Sequence, residues 1–233
     1  MAEPTRAPSV DKAGRKIDAV AATLDAAYGP RRWHAHGDPL DELVATVLSQ
    51  HTSDTNTARA FASLKAAFPD YEAVRAAPTA AVAAAIRTGG LAQVKAPRIQ
   101  RILDAIAAEH GALSLALLRG MGLDAARAWL LGLPGVGPKT AACVLLFALG
   151  LPALPVDTHV HRVARRLGAI GPQVSAERAH AVLEADLGDD RDRVYAFHLN
   201  AIAHGRAVCT ARRPSCDRCP LTGCCDYYAV IAT

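Results

Sequence analysis

Two residues that can act together in covalent chemistry, Lys139 and Asp157, stand 18 positions apart in the sequence. A lysine amine attacks carbon only when it is neutral, and burial or nearby positive charge favours that form. A carboxylate beside the amine can accept its proton. The ordinary alternatives are a solvated lysine that assists anion binding and an aspartate that caps a helix. The pattern therefore indicates a candidate nucleophile and base, with a structural role open for each.

Lys139 lies in a glycine-punctuated string, LPGVGPKT. Gly135 and Gly137 allow a tight turn around Val136, and the proline that follows suits the first turn of a helix. Amides at a helix N-terminus, together with the helix dipole, bind anions. We expect this turn to hold a phosphate, the alternative being an ordinary connection between helices. A nucleotide-binding P-loop is excluded because the glycine spacing is too short and no predicted strand precedes the turn.

The segment between Lys139 and Asp157 is long enough to bring the two residues together. A helix from Lys139 to about Leu149 is roughly 16 Å long, and the string GLPALPV that follows contains two prolines. An extended segment of that length spans up to roughly 23 Å, so the chain can return to the start of the helix. The sequence therefore predicts that Asp157 lies near Lys139 and uses separate oxygens for capping and for catalysis.

Five of the six cysteines lie near the end of the sequence. Cys209, Cys216, Cys219 and Cys225 follow the spacing C-x6-C-x2-C-x5-C, and Cys224 competes for the fourth place. Four thiolates at this spacing form a cage for zinc or for an iron–sulfur cluster, and the spacing alone does not choose between them. In a reducing compartment such a metal site is favoured over disulfides.

Charged residues near these motifs add possible anion contacts. Arg212 and Arg213 lie in the loop between the first two cysteines of the spacing, where they can contact a second phosphate. His159 and His161 resemble a metal-binding pair, but two residues apart on a helix they point about 200° apart and do not share an ion. Capping, packing or phosphate contact is expected of both histidines.

Length and composition set the broad class of the protein. The 233 residues, 51% hydrophobic and 21% charged, suffice for two domains with full cores. A net charge of +4 permits a nucleic-acid partner, whereas 5% aromatic residues argue against a single-strand binder built from stacking platforms. The sequence contains neither an unbroken apolar stretch of membrane-spanning length nor a signal peptide. We expect a soluble, cytoplasmic protein without membrane contact.

Alanine-rich amphipathic segments dominate, and no run alternates in the manner of a strand, so the sequence predicts an all-helical (all-α) fold. We expect a disordered tail over residues 1–12. One helix is expected to start at Asp38 and Pro39, and another to be capped by Ser53 and to end near Phe68. Further helices are predicted over residues 15–28, 79–87, 96–109, 113–119, 123–131, 139–149, 157–168, 175–186 and 190–205.

Three motifs in order, LPGVGPKT, VDTHVHRV and C-x6-C-x2-C-x5-C, resemble the endonuclease III family of helix-hairpin-helix DNA glycosylases. The resemblance extends from about Ile17 to Cys225. It implies two helical lobes: a six-helix barrel domain over residues 33–151, with the helix-hairpin-helix over 123–149, and an iron–sulfur domain built from residues 13–32 and 152–233. It also implies that the four cysteines hold a [4Fe–4S] cluster rather than zinc.

The resemblance assigns roles to individual residues. Lys139 matches the catalytic lysine of the bifunctional members, and Asp157 matches the catalytic aspartate. Leu91 falls where the family inserts an apolar wedge into the base stack. Gln50 and His51 fall where the family places a glutamine that fills the gap left by the flipped base.

The sequence departs from the family pattern at these last positions. By the simplest alignment His51, rather than Gln50, occupies the glutamine position. Gly89 and Ala92 flank the wedge where bulkier residues are usual. Both departures bear on the substrate range and the catalytic efficiency rather than on the class of reaction.

The resemblance implies a bifunctional DNA glycosylase and AP lyase of base excision repair, which acts as a monomer on damaged duplex DNA without a nucleotide cofactor. It would excise an oxidised pyrimidine through a lysine Schiff base and cut the strand by β-elimination. A monofunctional or mismatch-type glycosylase of the same superfamily is one alternative, although Lys139 argues against it. A non-catalytic protein that binds damaged DNA is the alternative from another class.

Overall fold

The computed structural model describes residues 10–232, with side chains from residue 16 to residue 232. Its regular structure is helical, and these residues form no strand. The predicted all-helical fold class is therefore confirmed. No described helix combines the length and the apolar character needed to cross a membrane.

The α-helices are numbered here in chain order. They are α1 (Val10–Tyr28), α2 (Pro39–Ser49), α3 (Asp54–Ala67), α4 (Tyr71–Ala76), α5 (Thr79–Ala85), α6 (Ala92–His110), α7 (Leu123–Gly132), α8 (Pro138–Cys143), α9 (Thr158–Leu167), α10 (Ala176–Leu187), α11 (Arg191–Ala207) and α12 (Asp226–Ile231). A π-helical segment, Val144–Ala148, continues α8.

The chain forms two compact units, with divisions after Trp33 and after Leu151. The hairpin unit runs from His34 to Leu151 and holds α2 to α8. The cysteine unit combines the described residues up to Trp33 with those from Pro152 onward, and it holds α1 and α9 to α12. The glycine turn and the four spaced cysteines thus belong to different units.

Local sequence explains where the first helices of the hairpin unit begin. The Asp38 carboxylate accepts a hydrogen bond from the Leu40 amide at 2.8 Å, and Pro39 follows at the first helical position of α2. The Ser53 hydroxyl accepts a hydrogen bond from the Asn56 amide at the start of α3. Each side chain satisfies an amide that the helix itself leaves unpaired. Both predicted helix starts are confirmed.

The cysteine unit is organised around α11, against which both α1 and α9 pack. Ile17 and Leu24 of α1, Val163 of α9 and Phe197 of α11 are among its buried apolar side chains. Gly205 allows the close approach of α9 to α11, because a Cβ at that position would lie 3.0 Å from the His159 Cβ. The packing of α9 on α11 positions the loop that carries the cysteines.

Several elements differ from those predicted. In place of the helix predicted over residues 113–119, the structure has a short 3-10 helix, Ala116–Gly120. Residues 1–9 of the predicted tail lie outside the described residues, but α1 begins at Val10, because no helix breaker stands between Val10 and Gly14. Helix α6 begins at Ala92 rather than at residue 96 and continues through Pro97, since the buried Lys95 holds its first turn in place. The short α4 was not expected, because its six residues are too few to show a helical period.

Candidate functional sites

The glycine turn connects α7 to α8 as a hairpin within one unit. Gly135 has φ +78°, in the left-handed region, and a Cβ there would lie 3.2 Å from the Arg98 side chain. The Val136 amide donates to the Leu133 carbonyl at 3.1 Å, and the Val136 side chain is buried. Gly137 is the N-cap residue of α8. The predicted helix-hairpin-helix geometry is therefore present, with glycine favoured at Gly135 by its left-handed backbone and by the closely packed Arg98 side chain.

The amides of the hairpin are not equivalent as anion donors. The Val136 amide is already used within the turn, so this residue supports the turn rather than offering a free N–H group. The first-turn amides of α8, including that of Lys139, have no carbonyl partner inside their own helix. An anion at this end of α8 would therefore meet the amides that follow Gly137 together with the positive end of the helix dipole.

Lys139 sits half-buried on the first turn of α8 among polar side chains of its own unit. The positive charge of its ammonium group acts on the Glu42 carboxyl and on the Cys143 thiol, one turn further along α8, and lowers the pKa of each. The Thr46 hydroxyl donates to the Glu42 carboxylate at 3.3 Å, and α2, which carries both residues, packs against α8. Lys139 thus lies near three polar side chains, Glu42, Thr46 and Cys143, and we call these four residues the lysine cluster.

Burial perturbs two members of the lysine cluster. It raises the pKa of the Glu42 carboxyl above its ordinary value, although the Thr46 hydrogen bond and the positive charge of Lys139 act in the opposite direction. Burial also raises the pKa of the Cys143 thiol to about 11, so this thiol is protonated at neutral pH. Sequence reasoning missed Glu42 and Thr46, because their link to Lys139 depends on how α2 packs against α8.

Asp157 is the N-cap of α9 in the cysteine unit. Its Oδ1 accepts hydrogen bonds from the His159 and Val160 amides, both at 2.8 Å. Both bonds go to the same oxygen, so Oδ2 takes no part in the cap. This geometry is compatible with the prediction that one Asp157 oxygen caps the helix while the other takes part in catalysis. The predicted closeness of Asp157 to Lys139 concerns both units and stays a prediction.

Leu91 and His51, which match the family positions whose side chains enter the base stack, share an unusual backbone conformation. Leu91 has φ +49° and His51 has φ +55°, and among the described residues no other non-glycine residue has a positive φ. The Leu91 side chain is 55% exposed, and His51 is exposed as well. Left-handed backbone at side-chain-bearing residues is strained and persists where the surroundings enforce it, often at functional sites.

Gln50 is held by a neighbouring helix, unlike His51. The Gln50 Oε1 accepts a hydrogen bond at 2.6 Å from Arg98 of α6, whose side chain also packs on Gly135. Gly89 lies under the Leu91 loop, where a Cβ would come within 3.0 Å of the Ala60 Cβ. The glycine that departs from the family pattern is therefore explained by close packing against α3. Sequence reasoning missed Arg98, because its contacts with Gln50 and Gly135 join segments far apart in the chain.

The structure brings the four spaced cysteines together. Cys209, Cys216, Cys219 and Cys225 line one cavity, whereas Cys224 is not part of its lining. None of the described cysteines forms a disulfide. The pKa values of Cys219 and Cys225 are raised by burial and by the neighbouring thiols. Four thiols around a common cavity are a suitable donor set for a metal group that removes their protons.

The cavity walls are otherwise largely apolar, with Val163, Leu167, Val208 and Pro214 among them. Among the described residues, no three metal-ligating side chains converge on one ion-sized point. The thiols surround a space instead. An iron–sulfur cluster fits these residues, because it is ligated by four thiolates and sits in a shell that excludes water.

Two arginines of α9 that sequence reasoning missed hold the cysteine loop. Arg166 donates to the Thr210 carbonyl at 2.7 Å and to the Ala211 carbonyl at 2.9 Å. Arg162 donates to the Cys209 carbonyl at 2.9 Å. These bonds attach the loop to α9 at its first cysteine and at the two residues that follow it. The spacing of four residues between the arginines in VHRVARR was the available signal, because it places both on one helix face.

Arg212 and Arg213, which were predicted to contact phosphate, directly follow the loop residues that Arg162 and Arg166 bind. Arg212 and Arg213 are both exposed, and the Arg213 carbonyl accepts a hydrogen bond from the Thr210 hydroxyl at 2.6 Å. The histidine pair has other partners: His161 donates to the Val174 carbonyl, and His159 contacts the Arg162 guanidinium. The loop therefore presents two exposed positive charges from an anchored backbone.

The chain is similar in sequence to known base excision DNA repair proteins. Residues 44–185 match the model of the HhH-GPD superfamily base excision DNA repair proteins. An endonuclease III of Thermotoga maritima is 33% identical over 200 residues, covering 84% of this chain and 87% of that protein. An Arabidopsis thaliana protein named as a candidate DNA glycosylase is 39% identical over 199 residues, covering 80% of this chain.

The Arabidopsis relatives are longer than this chain. The chain spans 66% of the candidate glycosylase and 13% of the DNA glycosylase/AP lyase ROS1, to which it is 34% identical over 175 residues. A solved structure of a trapped endonuclease III–DNA covalent intermediate has a TM-score of 0.80 and 28% identity, covering 94% of this chain and 99% of that one. The chain belongs to the endonuclease III family within the HhH-GPD superfamily of base excision DNA repair proteins.

Proposed function

We propose that the protein is a bifunctional DNA glycosylase and AP lyase that removes oxidised pyrimidines from duplex DNA. The observation that carries this proposal is the position of Lys139, half-buried at the start of the helix after the glycine hairpin and close to the polar side chains of the lysine cluster. The similarity to the DNA glycosylase/AP lyase ROS1 and to the endonuclease III of the trapped covalent DNA intermediate supports lyase chemistry through a covalent intermediate.

The first step is extrusion of the damaged base from the stack. Unstacking costs a few kcal/mol, least for a damaged base, and side chains that fill the vacated space offset that cost. Leu91 enters the stack as the apolar wedge, and Gln50 or His51 fills the gap. The exposure of Leu91 and the left-handed backbone of Leu91 and His51 support this assignment.

The covalent step uses the lysine amine. Asp157 accepts a proton from Lys139 and stabilises the positive charge that develops on the sugar. The neutral amine attacks C1′, and the glycosidic bond breaks with its electron pair leaving on the base, which takes up a proton. Ring opening gives the Schiff base. Loss of a C2′ proton and cleavage of the C3′–O bond then cut the strand by β-elimination.

Phosphate contacts hold the DNA across these steps. Amides at the start of α8, presented by Gly135 and Gly137 with Val136 supporting the turn, bind one phosphate. Arg212 and Arg213 bind another with charge-assisted hydrogen bonds. Cys209, Cys216, Cys219 and Cys225 would hold a [4Fe–4S] cluster, which when bound supplies a structural support for the arginine loop. The four-thiol cavity supports this cofactor.

The test measures base release and strand cleavage separately on a duplex with one oxidised pyrimidine. The variant is Lys139→Gln, and the matched control is Lys65→Gln, which removes a partly exposed lysine paired with Asp41 on the surface. Wild type and control should release the base and cut the strand, whereas Lys139→Gln should do neither. Strand cleavage retained by Lys139→Gln would remove the lysine from the mechanism.

A non-catalytic damage-binding protein gives a different result in the same assay. Such a protein would bind the lesion duplex but release no base with any variant. A monofunctional glycosylase would release the base and leave the strand intact. Each alternative is thus separated from the proposed bifunctional reaction by one pair of measurements.

A further inference from the structure

A buried lysine lies beneath the two loops that carry the inserted residues. Lys95, on the first turns of α6, is 2% exposed. Its ammonium group donates to the Leu48 carbonyl and to the Gly89 carbonyl, each at 2.7 Å. Lysine is seldom fully buried without hydrogen-bond partners, and these two carbonyls provide them.

The two carbonyls belong to the chain segments that lead into the strained residues. Leu48 lies near the end of α2, three residues before His51, and Gly89 lies two residues before Leu91. One ammonium group therefore joins the two segments whose non-glycine residues adopt left-handed backbone. Because such backbone is retained only where its surroundings enforce it, the Lys95 bonds are well placed to enforce both conformations together.

The same face of α6 holds the neighbouring parts of the site. The Lys95 amide bonds the Leu91 carbonyl at 2.9 Å, so the lysine lies one helical turn from the wedge. Arg98, three residues further along α6, bonds Gln50 and packs against Gly135. Helix α6 thus contacts the wedge, the gap-filling segment and the hairpin. Among these contacts, the Lys95 ammonium group bonds the backbone that precedes His51 and the backbone that precedes Leu91.

We propose that Lys95 is a positioning residue that couples the Leu91 loop to the Gln50–His51 segment, so that the two enter the duplex as one preformed unit. The proposal rests on the proposed function. Lys95 acts through the backbone of both loops and touches neither the sugar nor the base. Its loss should therefore impair base extrusion while leaving the lysine chemistry at Lys139 intact. Burial, which lowers the pKa of Lys95, makes the two hydrogen bonds necessary for holding its charge.

The experiment compares two substrates that differ in their need for extrusion. One is a duplex with an oxidised pyrimidine, beside which 2-aminopurine reports unstacking by its fluorescence. The other is a single-stranded oligonucleotide with a preformed abasic site, which needs lyase chemistry but no insertion into a stack. The variant is Lys95→Met, which keeps chain length without donors, and Lys65→Met is the control on the surface.

Single-turnover base release by Lys95→Met should fall at least about tenfold, with a matching loss of the 2-aminopurine signal. Cleavage of the single-stranded abasic site should stay within about twofold of wild type, as should every activity of Lys65→Met. In a Leu91→Ala background, where the wedge is already absent, Lys95→Met should cost much less than in wild type, because coupled residues are not additive.

Equal losses on both substrates, or full additivity with Leu91→Ala, would show a purely structural role and overturn the proposal. Unchanged base release would overturn it as well. If Lys95→Met does not fold, Lys95→Gln replaces it in the same assays, and failure of both variants to fold also assigns the residue a structural role. Failure of the proposed function is distinct, because wild-type protein itself would then either not release the oxidised pyrimidine or not cleave the abasic oligonucleotide.

Discussion

Replacing Asp157 in two ways separates its cap from its proposed catalytic role. The Asp157→Asn variant would keep an oxygen in the place of Oδ1, which accepts the His159 and Val160 amides. Asparagine caps helices about as well as aspartate, but it cannot accept a proton from an amine. Alanine removes both functions. Asp157→Asn should therefore lose activity without losing stability, and Asp157→Ala should lose both.

The magnitudes follow from the two hydrogen bonds and from the chemistry. Replacement of an aspartate cap by alanine costs about 1 kcal/mol of the free energy of unfolding. For a protein of this size that lowers the melting temperature by about 2–4 °C. Asp157→Asn should melt within about 1 °C of wild type, since its cap is kept. Removal of the proton acceptor should slow base release by about 10²–10⁴-fold in both variants.

The assay combines thermal melting with single-turnover base release on the lesion duplex. Asp190→Asn is the matched control, because the Asp190 Oδ1 likewise accepts two amides, those of Asp192 and Arg193, at the start of α11. That variant should keep both stability and activity. Wild-type rates of base release by Asp157→Asn would refute the catalytic assignment and leave Asp157 as a helix cap only.

Three further predictions concern the metal site, the phosphate-binding arginines and the lysine cluster. Cys216→Ser should lower bound iron and visible absorbance, whereas Cys224→Ser, outside the cavity, should not; equal decreases in both would contradict the ligand set. Replacing Arg212 and Arg213 by alanine should reduce the slope of log affinity against log salt by about 0.9 for each phosphate that the protein no longer neutralises, and an unchanged slope would exclude both arginines from phosphate binding. Burial raises the folded-state pKa of Glu42, so its contribution to stability is lost as pH rises through that pKa. Glu42→Gln should therefore gain in melting temperature over wild type as pH rises above the ordinary carboxyl pKa, and a constant difference would contradict this.

Features that depend on short stretches of sequence were predictable. The caps at Asp38 and Ser53, the turn at Gly135 and the spacing of the cysteines each depend on residues within a few positions of one another. Local hydrogen bonds and backbone preferences decide such features, and these are visible in the sequence. The all-helical class followed from the same local periodicity.

Features that depend on partners far along the chain were not predictable. Lys95 bonds a carbonyl 47 residues away, and Arg98 bonds a side chain 48 residues away. In the sequence both resemble surface residues on the polar face of a helix, because only the packed fold shows what they meet. Glu42 was missed for the same reason, since its contact with Lys139 arises where α2 packs on α8.

Borohydride trapping on two duplexes, one with an oxidised pyrimidine and one with a preformed abasic site, tests the central claim most directly. Borohydride reduces a Schiff base to a stable covalent adduct, so trapped protein–DNA complex reports the lysine chemistry itself. Wild-type protein should form the adduct on both duplexes, and Lys139→Gln should form it on neither. An adduct on the abasic duplex alone would contradict the proposed lesion, and no adduct on either duplex, with DNA binding retained, would contradict catalysis by Lys139.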